Sequence, residues 1–403
     1  MYENYKWEYT MFYLLWPIII FPKQLQIVFI GIILCFLLRQ GKIIFDGLSY
    51  FFIFYLVIYI ISIFYNLFLH SYEFDRILAT FNTLSIWIIA MFYYLLYKSY
   101  QLDLQELVKI GFVNYCILIG HWMISHIFHY LLGVSEFSIF GHYLSNIEWF
   151  SGVPVLRFVG FMDYANLVIM FFMFFYPLFC MYALRLNRRW FGWFLIVLGI
   201  FPVYSTYSRS GYFIILLGIS LFIFHQFIKN SSIVTRGFLY CIVATLLVIS
   251  IFYTNLVDNL ELIFSDVYNA REGSNDTRSY LMEESMKVTF EKSPVIGMGI
   301  KTDSKLGYPL GSHSTFLGFF YKTGMVGFIV CTVMFLFISF KLLLLKMKGI
   351  SNLMKYFIAV LPVMFLFEDL DGSNWLIVFY FILLAVLFGR DANAHSDRLA
   401  KDG

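Results

Sequence analysis

Apolar runs separated by short polar breaks recur along almost the whole chain, and this alternation sets the expected architecture. The runs are Tyr9–Phe21, Leu25–Leu38, Ser49–Leu69, Ala79–Tyr97, Val108–Leu131, Ala165–Leu184, Trp190–Tyr204, Gly211–Ile228, Arg236–Tyr253, Met325–Leu345, Tyr356–Phe367 and Trp375–Phe388. Crossing a bilayer takes roughly 20 apolar helical residues. The pattern therefore predicts an all-α polytopic membrane protein with about 12 transmembrane helices, one or two of them short enough to be re-entrant or merged. Residues 1–390 read as a single transmembrane domain, and Asp391–Gly403 as a polar, disordered cytoplasmic tail.

One long polar interval, Thr254–Ser312, breaks the pattern. Asn275 or Asp276 is placed to cap a helix running from Thr277 to Lys292, with Leu281, Ser285 and Val288 on one face. Pro294 stops it, and Gly297, Gly299 and Gly307 supply the turns beyond. The expectation is a short helix lying on the membrane surface.

Composition sharpens this reading. The 403 residues are 61% hydrophobic, 22% aromatic and only 13% charged, and the mean hydropathy of +0.78 excludes a soluble globular protein. All five cysteines lie in apolar runs with no C-x-x-C pair, so they read as small packed hydrophobes. The first apolar run has no small-residue cleavage site, so no cleaved signal peptide is expected. No Walker-type loop, zinc-spaced His/Cys set or basic-aromatic stripe is present, so nucleotide, metal and nucleic acid are not expected as ligands.

The net charge of +3 says little, because the distribution of Lys and Arg among loops is what orients a membrane protein. Basic residues gather in alternate loops: Arg39 and Lys42; Lys98 and Lys109; Arg185, Arg188 and Arg189; Lys229 and Arg236; Lys341, Lys346, Lys348 and Lys355; Arg390, Arg398 and Lys401. With those loops cytoplasmic, both termini lie inside. The loop Gly133–Tyr164, the turn at Arg209, the long polar loop and the turn Glu368–Asn374 then all face outward. Lys23 and Arg76 run against the rule.

Four outward positions carry possible chemistry. Arg157 stands in R-F-V-G-F-M-D-Y-A-N with Asn166; Arg209 in Y-S-T-Y-S-R-S-G-Y; Arg278 in the first turn of the loop helix; His313 in G-S-H-S-T-F-L. Arginine keeps its charge, and its fork matches phosphate oxygens two at a time. Taken alone, each has an ordinary alternative: a lone interfacial arginine usually snorkels to headgroups, and a lone histidine often caps a helix. Three outward arginines together suggest a site for a lipid phosphate or diphosphate. The acids Glu368, Asp369 and Asp371 of F-E-D-L-D-G-S-N-W read either as a solvated turn or as support for sugar binding.

The order R-x-x-G-x-x-x-x-x-N, S-R-S-G, D-x-R helix, P-x-x-G-x-G and H-S-x-F-L…T-G-x-x-G resembles the O-antigen ligase / Wzy-type polysaccharide polymerase superfamily, over Arg157 to Gly327. Ala165, Ser314 and Lys322 depart from it, standing where proline, asparagine and an acid are usual. The resemblance implies a GT-C-like, metal-independent glycosyltransferase at the outer face of the bacterial cytoplasmic membrane, with no cofactor. Its substrate would be an undecaprenyl-diphosphate-linked oligosaccharide, polymerised into surface polysaccharide such as O-antigen or capsule. A chain-length regulator and a flippase are the implied partners, beside membrane lipid. Carried over, the catalytic residues are His313, Arg278 and Arg209, and the substrate-binding residues Arg157, Asn166, Asp276 and Lys322. A ligase acting on another acceptor is the alternative within the superfamily. A lipid-linked oligosaccharide flippase is a third reading, but no internal repeat is visible.

The charge alternation makes one direct prediction. Cysteine introduced by Ser274→Cys should react with an impermeant thiol reagent in intact cells, and that from Ser396→Cys should react only after lysis. The reverse labelling would overturn the assigned topology.

Overall fold

The computed structural model describes residues 7–100, 102–150, 153–230, 272–347 and 351–402. The expected span Arg236–Tyr253 and the first part of the polar loop, 254–271, lie outside them. Among the described residues, the α-helices are, in order, α1 Thr10–Tyr13, α2 Leu15–Ile20, α3 Lys23–Leu38, α4 Gly47–Leu69, α5 Phe74–Tyr97, α6 Leu104–Leu132 and α7 Asn166–Ala183. After these come α8 Arg189–Leu198, α9 Phe201–Tyr204, α10 Arg209–Asn230, α11 Glu272–Lys292, α12 Thr315–Leu344, α13 Ser351–Met364 and α14 Asn374–Asp402. Within the same residues, 6 helices are long and apolar enough to cross a membrane: α4, α5, α6, α7, α10 and α12. Shorter apolar helices complete the bundle, and the chain is a mostly helical, multi-pass membrane protein.

The differences from the sequence reading have local causes. The run Tyr9–Phe21 is two short helices broken at Leu14. Trp190–Tyr204 divides between α8 and α9, where Pro202 has no N–H to give to the Leu198 carbonyl. The last helix continues to Asp402, so the tail expected to be disordered is helical backbone. The loop after α6 holds a three-stranded antiparallel sheet that a pattern of apolar runs does not reveal: β1 Phe137–Ile139, β2 His142–Phe150 and β3 Val153–Phe158. Phe140 and Gly141, both at positive φ, make the two-residue turn between β1 and β2.

At the centre, α7 is buried over almost its whole length, and the apolar half of α14 packs beside it. Aromatic edges interlock there, with Phe171 on Trp375 and Phe175 on Phe379. α12 is interrupted inside the bundle. It starts ten residues before the expected Met325, and its helix is interrupted at Gly324, with φ 60° and ψ −162°. The break frees backbone groups inside an apolar bundle, where an unpaired one is costly. The P-V-I-G-M-G segment satisfies them. Met298 and Gly299 donate to the carbonyls of Tyr321 and Lys322 at 2.7 and 3.0 Å, while Met325 and Val326 donate to those of Pro294 and Val295 at 2.8 and 3.2 Å.

α4 closes the joint from the other side. Ser62 donates to the Lys322 carbonyl at 2.7 Å, and Asn66 to the Gly297 carbonyl at 2.9 Å. This buried joint ties the loop helix α11 to the start of α12.

The two residues that ran against the charge rule are engaged at the same end of the bundle. Lys23 lies 3.7 Å from Asp163 and donates to the Gly372 carbonyl at 2.9 Å. Arg76 pairs with Asp303.

Gly297 and Gly324 face each other with no room for a side chain. A Cβ on Gly297 would meet the Gly324 nitrogen at 2.4 Å, and one on Gly324 would meet the Val295 carbonyl carbon at 2.3 Å. Gly297→Ala or Gly324→Ala should therefore destabilise the protein by roughly 2–4 kcal/mol, combining strain and overpacking. Gly31→Ala, which meets open space, should leave stability unchanged. Thermal unfolding of purified protein would check this, and equal melting of all three variants would refute the account of the joint.

Candidate functional site

The turn joining α13 to α14 carries three acids, and each has a cation from a different element. Asp369 is met by Lys301 of the loop after α11, at 2.8 Å. Asp371 is met by Lys322 of α12, a lysine only 1% exposed, and also accepts from the Trp87 indole at 2.7 Å. Burial opposes charge on Lys301 and Asp371, yet their partners prevail: Lys301 is raised above its ordinary value, and Asp371 is held below the usual carboxylate range. The third pair is different. The Arg278 guanidinium stands 3.8 Å from Glu368, beyond hydrogen-bond distance, and its side chain is 36% exposed while that of Glu368 is 5%.

The turn is pinned to the start of α12. Thr315 donates its N–H to the carbonyls of Phe365 and Glu368 at 2.9 and 3.1 Å, and its hydroxyl to the Glu368 carbonyl at 2.7 Å. The Leu370 N–H donates to the same hydroxyl at 2.7 Å. Ser314 caps α12, accepting from the Leu317 N–H at 3.3 Å. His313, immediately before the cap, is held at φ 64°, a left-handed conformation uncommon for a side-chain-bearing residue. Such strain is retained where surrounding contacts impose it, and is often found at functional positions.

Glu368 is the electrostatic centre. Burial pushes its carboxyl up to about 7; Arg278, the Asn166 amide and Arg157 pull it back, and Asp369 adds to the rise. Asn166, the first residue of α7, donates its amide to Glu368 Oε1. Arg157 on β3 donates to Glu148 Oε1 at 2.7 Å and to the Thr206 carbonyl at 2.7 Å. Burial lowers it to about 10, so it stays charged at neutral pH. Burial and then the Arg278 charge push His313 down, which leaves its imidazole neutral and able to accept a proton.

The turn carrying Arg209 is seated on the sheet. The Phe158 N–H donates to the Ser205 carbonyl at 2.8 Å, and the Trp122 indole to the Ser205 hydroxyl at 2.8 Å. Arg209 itself is half-buried and opens α10.

The fold thus brings Arg157, Asn166, Arg278 and the turns bearing Arg209 and His313 to one end of the bundle. Two expectations change. Lys322, expected at the substrate, has its ammonium committed to Asp371 and lies over the Tyr59 and Phe319 rings at 5.3 and 5.4 Å. Asp276 is not the cap of its helix, because α11 already begins at Glu272; it is exposed two residues before Arg278. The sequence reading left Glu148 and Lys301 unmarked. Glu148 sits in H-Y-L-S-N-I-E-W-F, and strand pairing across from a second short run would have been its signal. Lys301 comes just after the G-M-G turn without a pattern of its own. Among the described residues, no group of three or more His, Cys, Asp or Glu is placed to hold a metal ion.

Residues 194–332 match the protein family described as O-Antigen ligase, so about a third of the chain is similar to the O-antigen ligase/Wzy superfamily. No curated protein matches the chain. The matched range contains Arg209, Arg278 and His313, whereas Arg157, Asn166 and Glu368 reach the site from outside it.

The state of Glu368 gives a pH prediction. Its folded value of about 7 lies above the ordinary 4.5, so the folded protein holds the proton more tightly than the unfolded chain. That contribution is complete below pH 4.5 and drains away as pH rises through 7. Glu368→Gln, which cannot ionise, should gain stability relative to wild type between pH 5 and pH 8, by on the order of 3 kcal/mol. Melting curves across that range would test it, and parallel wild-type and variant profiles would sink the assignment.

Proposed function

We propose that the protein is a membrane glycosyltransferase of that superfamily, joining lipid-diphosphate-linked oligosaccharides into polysaccharide on the outer face of the bacterial cytoplasmic membrane. The observation that carries the reading is the contrast among the three acid–cation pairs. Lys301 and Lys322 are committed to their acids, whereas Arg278 is half-exposed and only loosely held by Glu368. A guanidinium in that state is available for an anion, and its fork suits a phosphate.

The chemistry assigns roles accordingly. The acceptor hydroxyl attacks the anomeric carbon, the bond to the diphosphate oxygen breaks with its electron pair, and the hydroxyl proton passes to a ring nitrogen of neutral His313. Negative charge grows on the departing diphosphate, so Arg278, with Arg209 beside the same end of the bundle, stabilises the transition state more than the ground state. A sugar hydroxyl is too weak an acid to ionise beforehand, so the base takes its proton as attack proceeds. Arg157, fixed between Glu148 and the Thr206 carbonyl, anchors the Arg209 turn to the sheet and adds positive field. Asn166 acts through Glu368, which it holds against Arg278. Polymerase is preferred to ligase on the resemblance alone.

Two variants should differ in kind. Arg278→Lys keeps the charge but loses the fork, and should cut turnover by about 10²–10³ while weakening binding of a prenyl diphosphate. His313→Ala should cut turnover by about 10²–10⁴ with binding nearly intact. Polymer formation in vitro, measured beside binding of the prenyl diphosphate to purified protein, separates them. Wild-type turnover in either well-expressed variant would remove that residue from the mechanism, and the opposite binding pattern would exchange the two roles.

A further inference from the structure

The surface running from α11 to α12 exposes apolar side chains that the site does not use. Met282, Met286 and Phe290 recur at four-residue spacing, so they share a face of α11, and they are 38%, 42% and 56% exposed. A second face, with Leu281, Ser285 and Thr289, is buried. A third, with Asp276, Glu283, Lys287 and Glu291, is exposed and polar. The helix therefore has a protein sector, an apolar exposed sector and a polar exposed sector.

The apolar sector continues past the helix. Phe290 packs on Phe320 of α12, ring centroids 5.0 Å apart. Val295 is 59% exposed, and its carbonyl accepts the Val326 N–H at 3.2 Å. From that point Met325, Val326, Ile329, Val333, Leu336 and Phe340 carry exposed apolar surface along α12, a helix long and apolar enough to cross a membrane. From Gly324 to Leu344 this part of α12 is about 30 Å long, the thickness of a bilayer core. Its exposed ridge faces lipid chains, and the α11 stripe meets that ridge at the Val295–Val326 hydrogen bond.

We propose that the lipid chains of the leaflet on the site's side of the membrane cover Met282, Met286, Phe290 and Val295, seating α11 in the membrane surface. Continuity with the span's lipid-facing ridge argues for lipid as the occupant, and so does the charged stripe alongside, the division expected of an interfacial helix. Arg278 stands one turn before Met282, at the end of the stripe, which puts its guanidinium at the level of lipid phosphates. That last consequence deepens the transfer reading and rests on it; the lipid contact does not.

The test uses the full chain in phosphatidylcholine–phosphatidylglycerol vesicles without any lipid-linked glycan. Spin labels are attached at Met282→Cys, Met286→Cys or Phe290→Cys, and at Glu283→Cys or Lys287→Cys, with the native cysteines replaced by alanine. Collision with oxygen should exceed collision with a water-soluble nickel chelate several-fold at the first three positions, and the order should reverse at the other two. Nickel access at all five would mean a stripe in water, and access by neither reagent at the first three would mean a stripe covered by protein, a second copy included. Either result overturns the proposal. If the cysteine-free background fails to fold, Phe290→Trp and Glu283→Trp in the native chain take its place. Chain-brominated lipid should quench the added emission of Phe290→Trp by half or more and spare that of Glu283→Trp; equal quenching, or none, counts against lipid contact. No donor is present, so failure here leaves the transfer reading standing, and failure of transfer leaves the lipid contact standing.

Discussion

Everything at the site depends on one break in one helix. Gly324 interrupts α12, and an interrupted helix inside an apolar bundle must find partners for its freed backbone groups. The loop from Pro294 to Gly299 provides them, and Ser62 and Asn66 of α4 seal the contact. Two segments that look like separate glycine motifs in sequence are thus two halves of one joint. Because α11 ends beside this joint and His313 precedes the cap of the helix that contains it, the joint ties the segment of Arg278 to that of His313. The approach is backbone to backbone, so no larger side chain has a place there.

Charge completes what the joint begins. The acids of the α13–α14 turn draw in Lys301, Lys322 and Arg278 from three separate elements. Breaking a buried pair by removing one partner typically costs about 3–5 kcal/mol, because the other charge is stranded. Lys322, almost wholly buried, belongs to that category, and it secures the turn against α12. Arg278, more than a third exposed, is screened by solvent, so its attraction to Glu368 is correspondingly weaker. Tight pairs build the turn, and the loose one remains exchangeable.

Much of this was legible in sequence where hydrophobic pattern governs. The long spans, the end of the loop helix before Pro294 and its buried face at Leu281 and Ser285 all arise from apolar spacing and a helix breaker. Arg157, Arg278 and the turn at Arg209 converge at one end of the bundle, where charge alternation had grouped them. The pattern was blind to what depends on pairing. Lys322 read as a ligand because its partner, Asp371, lies 49 residues away in sequence and the chain alone does not join them. The β-sheet escaped because its strands carry apolar residues on both faces, as with the neighbours Tyr143, exposed, and Leu144, buried. The start of α12 was misplaced because the outer part of that helix is stabilised by the Ser314 cap and the Glu368 turn.

The loose pair also links binding to protonation. Glu368 stays near its midpoint at neutral pH because burial raises its pKa while the Arg278 charge holds it down. On the proposed reading, a phosphate at Arg278 would draw that positive field onto its own oxygens and relax the restraint on Glu368. The carboxyl would then favour its neutral form, which repels an anion less than a carboxylate does. Of the three pairs, the 3.8 Å contact of Arg278 with Glu368 is the one an anion could exchange into, because the lysine pairs are closer and more deeply buried.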